Sequence, residues 1–254
     1  MSGDIELIQF RFSPYNEKVR WALDHKGLAH RRRSLLPGPH LPIVRRLTGQ
    51  TATPVLRLGS EIVFGSSRIL RRIEAEYPAP PLVPTDPEEA KRAEEIERRF
   101  DEDWTPRFRR PVLAAMLPIP GYFAAVFGQG ASALQRKIYG LVLPLAAPLV
   151  RRGNGIAGLA SIEDGNSAAR EALDFVARET EKTGYLIGAR FTVADLAAAS
   201  CLAPLVDPPH PDMRRPEPHP PAVADWLARW RDHPAADWVR AMYRKHRPLP
   251  KAVA

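Results

Sequence analysis

A proline-rich segment near residue 80 divides the chain into two parts with different sequence patterns. Residues 77–84, YPAPPLVP, hold four prolines in eight positions. Proline lacks the backbone N–H that helices and sheets use, so this segment predicts an irregular connection. We therefore expect a first domain at residues 1–79 and a second at 88–254, joined by a linker at 80–87.

The first part alternates between strand and helix patterns. Short apolar runs predict strands, and apolar residues at helical spacing predict the helices between them. In chain order these elements fall at residues 5–10, 14–26, 30–35, 41–47, 55–58, 61–64 and 68–77. Gly59-Ser60 is a hairpin signal between the last two strands. The order β-α-β-α-β-β-α predicts a small α/β domain with a mixed sheet, formed by a parallel pair and a terminal hairpin.

The second part is helical in pattern throughout. Asp86, Pro87 and Glu89 form a helix start, with an N-cap, a proline at the first helical position and an acid at the third. This helix is predicted to extend to residue 104 and to become irregular at Pro106. A further capping box, Thr192 with Asp195, precedes an apolar helix at residues 196–206.

Two windows of low charge, residues 111–135 and 138–150, lie in the middle of the second part. The first is interrupted by proline and glycine, and the second is shorter than the ~20 residues that a bilayer span needs. The sequence therefore predicts a buried or lid-like helical region here, and peripheral membrane contact is the less favoured alternative.

The formal net charge of +8 raises the question of a nucleic-acid partner. The basic residues are spread as pairs along patterned segments, without a basic tail or interleaved aromatic residues, so we expect no nucleic-acid binding. Cys201 is the only cysteine, and the seven histidines show no ligand spacing, so we expect neither a disulfide nor a metal site. The first residues lack a basic-then-apolar signal, which favours a cytoplasmic location.

The helix after the first strand begins at a serine followed by a proline. Ser13 has the chemistry of an N-cap, and Pro14 suits the first helical position. A helix N-terminus is positive, and it stabilises a nearby anion by roughly 0.3–1 kcal/mol. The pattern is thus explained either by capping alone or by an anion site that includes the Ser13 hydroxyl.

Four motifs, in this order and spacing, resemble the glutathione S-transferase family. Residues 13–15, SPY, together with residues 18–20, KVR, are similar to the active-site segment of its serine- and cysteine-type classes (zeta, theta, omega and many bacterial forms). Residues 53–56, TPVL, are similar to its cis-proline segment, and Ser66 to the serine of its acidic-Ser-x-x-Ile motif. Residues 192–195 are similar to its second-domain capping box. The resemblance covers essentially the whole chain and implies a thioredoxin-like N-terminal domain followed by a helical-bundle C-terminal domain.

The resemblance also implies an activity, in which glutathione is the co-substrate and an electrophilic, apolar small molecule is the acceptor. Ser13 would hydrogen-bond the glutathione thiolate, which is the reactive form.

Tyr15 and Asn16 are expected near the cleft mouth, either as contacts or as local packing residues. The family pattern implies a homodimer. The activating tyrosine of the alpha, mu and pi classes would fall near Gln9, and position 13 is not cysteine, so neither a tyrosine mechanism nor omega-type reductase chemistry is expected.

The glutathione contacts that the resemblance implies are spread over the first domain. The Thr53 backbone would pair with the tripeptide beside a cis Pro54. Ser66, at the start of its helix, would receive the γ-glutamyl carboxylate. Gln50 and Ser67 are further expected contacts.

One departure from the family pattern affects the expected activity. Many members have an acidic or amide side chain at position 65, where it holds the γ-glutamyl amine, and this chain has Gly65. A second hypothesis therefore stays open: a non-catalytic member, or one that uses a different thiol. The second domain is also longer than is usual for the family around residues 106–165, a surplus that we expect to border an apolar acceptor pocket.

Overall fold

The computed structural model describes residues 5–249, and its first domain is built on a four-stranded mixed sheet. The strands are β1 (Ile5–Phe10), β2 (Arg31–Leu35), β3 (Val55–Leu58) and β4 (Glu61–Phe64), in the spatial order β2-β1-β3-β4. β1 pairs parallel with β2 and antiparallel with β3, and β3 and β4 form the hairpin. The predicted parallel pair and terminal hairpin are confirmed.

Three helices cover the two faces of this sheet: α1 (Pro14–His25), α2 (His40–Thr48) and α3 (Ser66–Glu76). Successive side chains of a strand point to opposite faces. Leu7 of β1 accordingly joins the main core, to which α1 and α3 contribute, whereas Ile8 packs with Val44 of α2 and Val55 in a separate small cluster.

The second domain is a helical bundle. Its elements are α4 (Pro87–Arg99), a π-helical turn (Phe100–Trp104), α5 (Thr105–Met116), α6 (Pro120–Phe127), α7 (Ala133–Gly153), α8 (Leu159–Thr180), α9 (Val193–Val206), α10 (Pro221–Ala228) and α11 (Pro234–His246). Every residue of α9 is buried. The Asp195 carboxylate accepts hydrogen bonds from the Thr192 backbone N–H, the Thr192 hydroxyl and the Leu186 N–H, which joins the start of α9 to the preceding turn.

The first helix of the bundle begins as predicted, but its irregularity differs from the expectation. The Asp86 side chain accepts a hydrogen bond from the Glu89 N–H at 2.9 Å. The chain does not become irregular at Pro106, which lies in the first turn of α5. Pro106 has no backbone N–H and cannot donate a hydrogen bond to a carbonyl one turn earlier. The wider π turn directly before α5 accommodates this missing hydrogen bond, so the helical run continues.

The apolar residues of α7 are the second difference from the expectation. Tyr139 and Leu143 are buried against the bundle, but Leu141, Leu145 and Leu149 are 71%, 82% and 74% exposed. The outer face of this helix is therefore not buried, which contradicts the first of the two predicted alternatives, a buried region. Within residues 5–249, none of the helices combines the length and the apolar character needed to cross a membrane.

A buried ion network joins α1 to the segment after α11. Arg247 Nε lies 2.8 Å from Glu17 Oε1, and Arg247 Nη2 lies 2.7 Å from Asp212 Oδ2. Arg20 and Arg32 pair with the same two carboxylates, at 2.7 and 2.8 Å respectively. Burial alone would raise the pKa of Asp212, but the surrounding guanidinium groups hold it below its ordinary value. The network therefore keeps these carboxylates ionised inside the protein.

Candidate functional site

A cavity of about 670 Å³ lies where the first domain faces α4, the π turn and α5. Its lining combines the loop before β3, the start of α3 and one face of the second domain. From the first domain it is lined by Tyr15, Gln50, Ala52, Thr53, Pro54, Phe64, Gly65, Ser66, Ser67, Arg68 and Arg71, and from the second by Glu94, Glu97, Arg98, Asp101, Glu102 and Arg109.

The loop before β3 forms one wall of this cleft. The Thr53–Pro54 peptide bond is cis. The Asn16 side-chain amide donates to the Thr53 hydroxyl at 3.1 Å, and the Gly65 N–H donates to the Pro54 carbonyl at 3.2 Å. Asn16 thus bridges locally between α1 and this loop. The Gln50 amide donates to the Thr48 hydroxyl and the Ala52 carbonyl, at 2.9 and 3.0 Å, so its side chain is bonded within its own loop.

The N-terminus of α3 forms the polar end of the cleft. Gly65 has φ of +86°, a conformation that favours glycine, and the helix that begins directly after it lines the cavity with Ser66 and Ser67. The Ser67 hydroxyl donates to Asp101 Oδ2 at 2.7 Å, and the Ser66 hydroxyl lies 3.4 Å from the same oxygen. A carboxylate of the second domain therefore already lies against the helix end where the sequence predicts a ligand carboxylate.

A buried lysine completes this polar end. Lys18 Nζ lies 2.8 Å from Glu97 Oε1 and 2.5 Å from Asp101 Oδ2, and it donates to the Ser67 hydroxyl at 3.3 Å. Burial alone would lower the pKa of Lys18, but the two carboxylates outweigh it and raise the pKa. Two carboxylates face one ammonium, so this group of side chains retains one net negative charge.

Two further side chains reach the cleft from opposite walls. The Tyr15 hydroxyl donates to the Asp101 backbone carbonyl at 2.9 Å, and burial raises the pKa of Tyr15, which keeps it neutral. Arg109 of α5 also lines the cavity, and its buried Nε has no hydrogen-bond partner within the part of the chain that the structure describes. A guanidinium with an unused donor is suited to an anionic group of a ligand.

Ser13 lies at the N-cap of α1 but is not among the residues that line the cavity; Tyr15, two residues later, is. The Ser13 backbone carbonyl accepts the first helical hydrogen bond, from the Glu17 N–H at 2.9 Å. Its hydroxyl makes no capping bond to the helix. The other five predicted site residues, Gln50, Thr53, Pro54, Ser66 and Ser67, line the cavity. The Ser13 hydroxyl makes no capping hydrogen bond, so capping does not account for a serine at this position.

Comparison with known families identifies both domains. A model described as the glutathione S-transferase N-terminal domain matches residues 7–81, and one described as the C-terminal domain matches residues 160–229. The chain belongs to the glutathione S-transferase family. The segment between the two matches contains the π turn, Asp101, Arg109 and α7, so much of the second-domain wall lies outside the family models.

Solved structures resemble this family member over nearly its whole length. A glutathione S-transferase from Methylobacterium radiotolerans, in complex with glutathione sulfonate, is 25% identical with a TM-score of 0.53, covering 99% of this chain and 98% of the other. A theta-class enzyme from Xanthomonas axonopodis with glutathione bound is 20% identical with a TM-score of 0.55, covering 97% and 99%. FzlA from C. crescentus is 21% identical with a TM-score of 0.59, covering 98% and 96%. None of the curated protein sequences matches the chain.

Sequence reasoning gave no site role to the charged residues at the cleft, among them Lys18, Glu97, Asp101 and Arg109. Glu97 and Asp101 are four residues apart, a spacing that places two carboxylates on one face of a helix. That signal was present in the sequence, but a charged helix face usually faces solvent. Only the contacts of these acids with Lys18 of α1 and Ser67 of α3 show that this face meets the cleft.

One further cluster has metal-ligand residue types. Glu17, His210 and Asp212 place one possible ligand atom each within 4.8 Å of one another. Both carboxylates are already hydrogen-bonded to Arg247, and Arg20 pairs with Glu17 as well. The guanidinium groups neutralise the charge that would attract a cation, so this cluster acts as part of the ion network.

Proposed function

We propose that this family member is a glutathione-dependent transferase that acts on an electrophilic, apolar small molecule. The thiol gives its proton to water, and the thiolate donates an electron pair to form the bond from sulfur to the electrophilic carbon. In a substitution the bond to the leaving group breaks and its electron pair departs with that group; in an addition the π electron pair of the acceptor is displaced and takes a proton from water. The proposal rests on one observation: the cis-Pro54 loop, the N-terminus of α3 and the second-domain acids meet in a single cleft beside the start of α1.

Ser13 is the proposed hydrogen-bond donor to the thiolate. Its hydroxyl is not used in capping, and it lies at the positive end of α1. A donor and a helix dipole that favour the anion lower the pKa of a thiol, which increases the reactive fraction near neutral pH.

Asp101 and Glu97 are the proposed partners of the γ-glutamyl ammonium, in the role that Gly65 cannot fill. Lys18 neutralises one of the two carboxylates, and the remaining negative charge is available to a ligand cation. The Ser66 end of α3 would then hold the ligand carboxylate.

A second candidate function is a non-catalytic member, or one that uses another thiol. The contact of Lys18 with both acids favours it, because an internal ammonium already fills part of the place where the substrate amine would bind. Calorimetry with millimolar glutathione separates the two: heat of binding supports the transferase, and its absence supports the second candidate.

The catalytic role is tested with Ser13→Ala and a chlorodinitrobenzene acceptor. Loss of one hydrogen bond to a charged group costs about 1.5–3 kcal/mol, so we expect kcat/KM to fall roughly 10- to 100-fold, with glutathione affinity changed far less. Ser60→Ala, at the exposed hairpin turn, is the matched control. Equal turnover of Ser13→Ala and wild type would remove Ser13 from this role.

The amine anchor is tested separately with Asp101→Asn. We expect glutathione affinity to fall about tenfold or more, because a charge-assisted contact is lost, while Asp103→Asn one half-turn away binds normally.

The family pattern also leads us to propose a homodimer, which light scattering would contradict by finding the monomer mass of 28.3 kDa.

A further inference from the structure

The outer face of α7 is an uncovered apolar surface. Six large apolar side chains on this helix are between 51% and 82% exposed: Leu134, Ile138, Leu141, Val142, Leu145 and Leu149. At about 100° per residue they fall within an arc of roughly 100°, and they extend along about 22 Å of the helix. The opposite face packs on the bundle, where Tyr139 and Leu143 are buried. We call these six residues the α7 apolar face.

Contacts on the inner side fix this helix in its orientation. The Tyr139 hydroxyl donates to the Pro37 carbonyl at 2.8 Å, which ties α7 to the first domain. Gly140 lies against α6, where a Cβ would stand 3.6 Å from the Ala124 Cβ. The α7 apolar face is therefore presented outward by a helix that is anchored on its other side.

The charged residues of α7 itself are all basic. Residues 104–162 contain seven arginines and lysines and no aspartate or glutamate. Within α7, Arg136 and Lys137 lie near the beginning, and Arg151 and Arg152 lie in the last turn. An apolar stripe with basic residues at both ends complements a surface that is apolar inside and anionic outside.

We propose that the α7 apolar face binds the surface of an anionic lipid bilayer, with the helix lying in the interface. No described helix can span a membrane, so the contact is peripheral. Pairing with a second copy through this face is disfavoured, because either relative orientation of two α7 helices brings their basic ends together. A nucleic acid is disfavoured as well, because six aliphatic side chains offer it no hydrogen bond.

The first test is sedimentation with large vesicles of phosphatidylcholine alone, or with phosphatidylglycerol added to 30%, in low-salt buffer. We expect binding to the anionic vesicles and much weaker binding to the neutral ones. Leu141→Gln/Leu145→Gln should lower the partition constant about tenfold or more, because apolar burial is lost, and Arg151→Gln/Arg152→Gln should lower it by a similar factor. Both pairs are exposed, so the fold should be retained, and glutathione binding should not change.

Matched controls keep the residue types and move them elsewhere on the surface. Leu41→Gln/Leu249→Gln removes two exposed leucines, and Arg229→Gln/Arg231→Gln removes two exposed arginines outside α7. We expect the leucine control to bind anionic vesicles as wild type does. The arginine control should lose clearly less affinity than Arg151→Gln/Arg152→Gln.

A spectroscopic test reports on depth. Cys201 is buried, so a polarity-sensitive dye can be attached selectively at Leu145→Cys, with Ser60→Cys as control. A blue shift on adding anionic vesicles, seen at position 145 only, supports the proposal. The proposal is overturned if wild type fails to bind anionic vesicles, or if Leu141→Gln/Leu145→Gln binds them as well as wild type does. It is also overturned if the effect of Leu141→Gln/Leu145→Gln is to abolish self-association or the capture of an acidic protein.

Discussion

The buried network around Arg247 allows a stability prediction that can be worked from its distances. The Arg247 guanidinium is fully buried and lies 2.7–2.8 Å from Glu17, Asp24 and Asp212. In Arg247→Met the apolar stem of the side chain is largely kept, and the guanidinium and its charge are lost. Only two guanidinium groups, of Arg20 and Arg32, then remain at hydrogen-bond distance for three carboxylates.

Breaking a buried ion pair by removing one partner costs about 3–5 kcal/mol, since a charge is left uncompensated. For a chain of this size, each kcal/mol lowers Tm by about 2–4 °C, so the expected decrease is about 6–20 °C. Urea unfolding followed by tryptophan fluorescence measures the free energy of unfolding directly. Arg244→Met, which removes an exposed arginine from the last turn of α11, should stay within about 0.5 kcal/mol of wild type.

Two outcomes would refute this reasoning. The first is an unfolding free energy of Arg247→Met within 1 kcal/mol of wild type. The second concerns Glu17→Gln/Arg247→Met, which removes the uncompensated carboxylate together with its partner. If the uncompensated Glu17 carboxylate causes the loss of stability, the double variant should be more stable than Arg247→Met alone. If the double variant instead loses as much further free energy of unfolding as Glu17→Gln loses by itself, the uncompensated charge is not the cause.

Three more expectations follow from the packing and the charges. Gly165→Ala should destabilise by about 1–3 kcal/mol in urea unfolding, because a Cβ there would stand 2.5 Å from Pro111 Cδ, whereas Gly121→Ala, which meets open space, should not destabilise. Asp195→Ala should cost about 1–3 kcal/mol by thermal unfolding, because three donors at the start of α9 lose their acceptor. Since the pKa of Asp212 is lowered by folding, its stabilising contribution is complete above the ordinary carboxyl pKa near ~4 and is lost as the pH falls below it. The urea midpoint should therefore decrease more steeply below about pH 4 in wild type than in Arg247→Met.

The elements of the first domain could be predicted because local signals determine them. The short apolar run of β1, the Gly59-Ser60 turn and the proline at the start of α1 each act over a few residues, and all agree with the observed order. The site roles of the residues around Pro54 and Ser66 came from the resemblance of their motifs to the family pattern.

The second-domain side of the cleft could not be predicted, because it depends on packing between distant segments. Asp101 contacts Ser67 at the start of α3, 34 positions away in the sequence. The residues next to either one in the sequence do not predict this contact. The outer face of α7 shows the converse case. Its helical period was visible in the sequence, but the period cannot say whether an apolar stripe meets a neighbour or remains uncovered.

The π turn sets the angular phase between the two halves of the long helical run. Upstream, α4 carries Glu97; within the turn, Asp101 faces the cleft while Trp104 is buried; downstream, α5 carries Arg109. Deleting a single residue there would rotate α4 against α5 by about 100°, and the acids and the arginine would no longer face the same ligand. A relative could therefore gain or lose this wall of the cleft through the insertion or deletion of one codon, with every other side chain unchanged.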